Sequence, residues 1–176
     1  SLLSFEYRIH SVFILVVKIL ILESDEKNLK RYINRYGEAT SHISSDDISS
    51  IQSLVDNEKD SLKRTKSQAL LLEFFAYYYS DNEFERVTDL FFNDASEVIK
   101  NKDVNVFQYI LNALPEIERR VSINRILSIL YLFFEGDNTR WYNEVFSVLK
   151  RQLCPPRTTV DRAMWTGSCR HISPYL

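Results

Sequence analysis

The stretch Ala69-Leu-Leu-Leu-Glu-Phe-Phe-Ala-Tyr-Tyr-Tyr-Ser-Asp81 decides the fold, because its pattern returns 56 residues to either side without a gap. Upstream lies Phe13-Ile-Leu-Val-Val-Lys-Ile-Leu-Ile-Leu-Glu-Ser-Asp25, and downstream Arg125-Ile-Leu-Ser-Ile-Leu-Tyr-Leu-Phe-Phe-Glu-Gly-Asp137. Each reads as an apolar helix closed by an acidic turn. The columns keep their character: Ile14, Leu70 and Ile126; Leu15, Leu71 and Leu127; Ile19, Phe75 and Tyr131. A helix apolar on most sides is buried between neighbours.

Working outward, Ser4, Asp60 and Glu116 share the column ahead of this helix, with Pro115 just before the third. Ser and Asp cap orphan amides, while Pro and Glu suit a first turn. The long helices are therefore expected over 5–23, 61–79 and 116–134. Asp25, Asp81 and Asp137 are then placed to cap a second helix, with apolar spacing Leu29, Ile33, Tyr36 in the first copy and Trp141, Val145, Val148 in the third. The middle copy slips by one, reading Phe84, Val87, Leu90 and Phe91. Gly37 and Asn93 fall in one column beyond it, and both tolerate the left-handed conformation that ends helices.

A third, shorter helix opens at Asp47 and again at Asp103. It is followed in matching columns by Ile48 and Val104, Ile51 and Phe107, Leu54 and Ile110, Val55 and Leu111. The spacing is helical and the acidic residue suits a cap. The expected fold is all-α, an α-solenoid-like array of about three 56-residue three-helix repeats, stacked because one unit cannot cover its own apolar face. In general form this resembles HEAT or armadillo arrays, with a longer unit than their common helix pair.

Composition agrees. Only three Gly and four Pro among 176 residues starve a chain of the turns an all-β fold needs. A 45% hydrophobic share is that of a globular chain rather than a disordered one. The pattern stops after Leu153. Residues 154–176 hold three of the four prolines, both cysteines and the only methionine, so the domains read as 1–153, helical, and 154–176, an irregular or flexible tail. Without the tail's three Arg and one Asp, the 22 basic and 24 acidic side chains become 19 and 23, a net −4. That balance argues against general nucleic-acid binding. Two tail cysteines and the lack of any Asn-x-Ser/Thr acceptor suggest an intracellular, cytoplasmic setting.

Val12 to Leu22 is an apolar run broken by Lys18, too short and too charged in its flanks to span a bilayer. It also lacks the basic leader and cleavage site of a signal peptide. Because the chain opens on Ser rather than Met, a membrane tether through this run stands as a second reading.

No motif carries a reaction. Cys154, Cys169 and His171 offer only three soft ligands where structural zinc wants four. They sit on a segment that nothing in the sequence would hold rigid for catalysis. Asp137-Asn138-Thr139 lacks the alternating oxygens and terminal Glu of a calcium loop. His10 and His42 have no partner identifiable from sequence. Tyr77-Tyr78-Tyr79 covers most of a turn, so at least one ring is expected off the core face.

The feature with a functional reading is basic. Arg8, Arg64 and Arg120 share a column, and Lys63 and Arg119 share the one before it. In a stacked array these would form a strip able to dock an acidic or phosphorylated segment of a partner. The expected function is a non-enzymatic protein-binding scaffold with no metal or cofactor. The alternatives are a membrane-tethered regulatory domain and an enzyme whose site sequence does not display.

Overall fold

In a computed structural model of the chain, the described residues are 2–36, 43–135 and 139–153, with side chains described for 10–36, 43–135 and 140–150. Among them there is no strand. The helices in chain order are α1 (Leu2–Leu22), α2 (Glu26–Arg35), α3 (Ser45–Asp56), α4 (Ser61–Phe75), α5 (Asp81–Lys100), α6 (Val104–Ile117), α7 (Ile123–Glu135) and α8 (Tyr142–Leu153). Single 3₁₀ turns lie at Ala76–Tyr78 and Thr139–Trp141. The chain divides into two compact units, residues 1–117 and 118–176.

The first unit is built around α4, which packs against α6 most extensively and also against α5, α3 and α1. Residues Thr65, Ser67 to Leu72 and Phe75 are all buried, so the helix is covered on every side. This is the environment expected for the Ala69–Asp81 stretch. Its neighbours each bury one face: Phe13, Val17 and Ile21 from α1; Ile48, Ile51 and Val55 from α3; Phe84, Val87, Phe91 and Ala95 from α5; Phe107, Ile110, Leu114 and Ile117 from α6. Each fully buried side chain of this size stabilises by about 1.5–3 kcal/mol.

Local chemistry sets the boundaries. Asp25 caps α2, accepting from the Asn28 amide at 3.1 Å. Asp60 caps α4 through the Leu62 and Lys63 amides. Ser4 and Glu116 do not share this role, for both lie inside helices. Ser44 and Asp47 form a reciprocal capping box at the start of α3. At α5 the cap is Ser80 rather than Asp81, since Ser80 holds the extended backbone of a cap and Asp81 is the first helical residue.

Three expected boundaries move. The helix expected to start at 116 begins at Ile123, because α6 continues through Pro115 to Ile117. Burying Leu114 and Ile117 outweighs the missing proline hydrogen bond. Helix α4 ends at Phe75 instead of 79, where the chain tightens and turns Tyr79 inward. Helix α5 runs past Asn93 to Lys100, carrying Val98 and Ile99 into the core. Gly37, Asp137 and the helix expected near 159–167 lie outside the described residues.

Among the described residues the left-handed positions are Ser24 and Lys102, with φ of 55° and 59°. Each closes a helix by the same paired bonds. Ser24 and Asp25 amides reach the carbonyls of Ile21 and Leu20, and Lys102 and Asp103 amides reach those of Ile99 and Val98.

Polar groups pair within and across elements. Tyr79 Oη donates to Gln52 Oε1 at 2.7 Å, Gln52 Nε2 to Asp56 Oδ1 at 2.6 Å, and Arg86 to Asp56 Oδ2 at 2.8 Å, tying α3 to α5. Ser67 Oγ donates to the Ile21 carbonyl at 2.8 Å, fixing the end of α1 on α4. In the second unit, α7 and α8 pack together over Ile126, Ile129, Leu130, Phe133, Trp141, Val145 and Val148, with Phe134 against Tyr142 and Phe146.

Candidate functional site

Helix α1 has two apolar faces and neighbours for one of them. Phe13, Val17 and Ile21, spaced by four, are 2%, 0% and 0% exposed, and Phe13 stacks on Tyr32 of α2 at 5.3 Å between centroids. About half a turn round, Val12, Leu15 and Ile19 are 58%, 53% and 51% exposed. Their spacing of three and four residues forms one continuous stripe, the a/d seam by which one helix receives another. The apolar run was legible in the sequence. Its outward half was not, because the register of α4 puts Leu71 and Phe75, in the columns of Leu15 and Ile19, at 0% and 2%.

No helix among the described residues is long and apolar enough to cross a membrane. Phe13, Val17 and Ile21, one on each successive turn of the run, are core.

The basic residues have separate fates. Arg64 is held inside the first unit: Nε and Nη2 donate to Asp94 at 2.7 and 2.9 Å, and Nη1 donates to the Glu58 carbonyl at 2.9 Å. A guanidinium engaged on all three nitrogens is a clamp between α4 and α5, not a free docking group. Lys63 lies 3.9 Å from Glu23 and 3.8 Å from Glu58. Arg119 and Arg120 are exposed in the turn that opens the second unit. Arg8 belongs to α1, with its side chain outside the description.

Of the three tyrosines, Tyr77 is 92% exposed, Tyr78 is half-buried and Tyr79 is 5% exposed, as the turn geometry requires. His10 Nε2 sits 3.4 Å from Asp47 Oδ2, joining α1 to the cap of α3. Burial pushes the Asp47 carboxyl up, but the Ser44 amide and hydroxyl, with His10 nearby, hold it below the usual range. Among the described residues no group of three His, Cys, Asp or Glu is placed to hold a metal ion. Cys154, Cys169, His171 and His42 lie outside them.

No family model, curated protein or solved structure matches this chain.

Proposed function

We propose that the protein is a non-enzymatic, all-helical protein-binding module whose contact face is the outer side of α1. The observation that carries this reading is the stripe Val12, Leu15 and Ile19, more than half exposed on a helix whose opposite face is fully packed. Single exposed apolar residues are ordinary, whereas an aligned set on one helix marks a surface meant to be covered. Its a/d spacing suits an amphipathic helix of a partner laid along α1.

An acidic segment flanking that helix would find Lys63 half-exposed in the first unit. Arg64 contributes only by holding α5 in place. The repeat belongs to this reading too. Helices α1 to α3 and α4 to α6 share an order of long helix, second helix behind a Ser-Asp turn, and third helix with an Asp in its first turn in one copy and just before it in the other. That order supports two copies of one ancestral unit whose packing has since diverged. An intracellular setting fits the cysteine usage and is part of the proposal.

The test places a photo-crosslinking residue at Leu15, and in a second protein at Glu85 on the exposed side of α5. The reading expects a defined partner captured from Leu15 only, and lost in Val12→Ser/Leu15→Ser/Ile19→Ser with circular dichroism unchanged. Capture of the same set from both positions, of lipid, or of the chain's own second copy would overturn it.

A further inference from the structure

Glu73 occupies an unusual place on α4. It lies in the most buried stretch of the chain, between Leu72 and Phe75, yet it is the one ionisable side chain there. Its Oε2 is shielded from solvent and has no hydrogen-bond partner among the described residues. The charged groups facing it come from two helices: Glu26 and Lys30 of α2, and Glu116 of α6. Beside them, Tyr109 of α6 donates to the Ser24 carbonyl at 2.9 Å and lies near Asp25, Glu26 and Glu73. Asn112 of α6 donates to Glu26 Oε1 at 3.1 Å. Two hydrogen bonds thus fasten the α1–α2 turn and the start of α2 to α6, and Glu73 sits at that seam.

A carboxyl in this position is tolerated when neutral. Ionised, it brings a third negative charge to Glu26 and Glu116, against Lys30, and its shielded oxygen has no donor among the described residues.

We propose that Glu73 is a pH-sensitive latch: neutral, it lets α2 and the α1–α2 turn close on α4 and α6, and ionised, it drives them apart. Burial first, then Glu26 and Glu116, push this carboxyl up to about 7, so the change falls near neutral pH. The direction follows from the raised value. Where the latch is open the carboxyl returns to its ordinary range, so the closed form is favoured at low pH and loses ground as pH rises towards 7 and beyond.

The test is amide hydrogen exchange on the full chain between pH 5.5 and 8, corrected for intrinsic rates and read at residues 26–35. Protection of these amides should fall roughly thirtyfold across the range in the natural protein, most of it below pH 7. It should stay level in Glu73→Gln, whose amide keeps the shape and cannot ionise. The α8 amides in the second unit serve as an internal control and should not respond. A selective carbon-13 titration of the glutamates should also show one midpoint near neutrality that Glu73→Gln removes. Equal pH dependence in both proteins, or a Glu73 midpoint in the ordinary carboxylate range, would overturn the proposal.

Discussion

Lys102 carries a φ of 59° at the end of α5, a position where a Cβ crowds the following carbonyl and glycine is at ease. Its side chain is exposed and the paired closing bonds belong to the backbone. Lys102→Gly should therefore stabilise the fold by about 0.5–1 kcal/mol in urea titration. Ser24→Gly should gain less, because Ser24 Oγ also lies 3.5 Å from Ser67 Oγ. Neither residue advertises a left-handed turn in the sequence. Gly37 and Asn93 do, and Asn93 lies mid-helix in α5, where the apolar run that follows keeps the helix going.

Tyr79 shows the same limit. Three adjacent tyrosines reveal that the rings diverge, but not which one turns inward. That choice depends on Gln52, far away in the chain, accepting its hydroxyl. Tyr79→Phe leaves the Gln52 oxygen buried and unmatched on that side, at a cost of about 1–3 kcal/mol. Burial raises the Tyr79 phenol well above its usual value. A raised acid contributes stability that is complete below the unfolded-state value of about 10 and is lost above it. The natural protein should then lose about 1.4 kcal/mol per pH unit from this group beyond pH 10, and Tyr79→Phe should lack that slope.

At the scale of elements, the helices were legible where caps and apolar spacing agree. Asp25 and Asp60 cap as the sequence implies, and the Ser44–Asp47 box opens α3 where Asp47 pointed. Boundaries failed where tertiary contact overrode a local signal, as at Pro115, which rides inside α6 because Leu114 and Ile117 are needed against α4.

The basic column misleads at Arg64 for a related reason. A column shared along the chain does not report what each arginine meets, and Arg64 meets Asp94 thirty residues away. This pair clamps α4 to α5 with a planar fork that lysine cannot reproduce. Arg64→Lys should cost about 1–2 kcal/mol in thermal or urea unfolding. A loss within experimental error would return Arg64 to the surface and revive its reading as a docking group.

For the whole molecule, the sequence conveyed an all-helical chain with long apolar helices that need several neighbours, and in the first unit α4 is the one covered on every side. It did not convey that α1, equally apolar, would be covered on one face only. Coverage depends on how many elements surround a helix, and a periodic pattern cannot count them. The candidate contact surface arises from that gap between equal sequence and unequal surroundings.

Leu15 and Leu71 put this to the most direct test, because they share a column and a residue type but are 53% and 0% exposed. The measurement is the equilibrium unfolding free energy of Leu15→Ala and Leu71→Ala in urea, each against the natural protein. The account predicts a loss of about 2–5 kcal/mol for Leu71→Ala, from a cavity in the middle of α4, and less than about 0.5 kcal/mol for Leu15→Ala. Comparable losses at both positions would mean that the outer face of α1 is covered within the fold, and would contradict α4 as the buried centre of the first unit and α1 as the open surface.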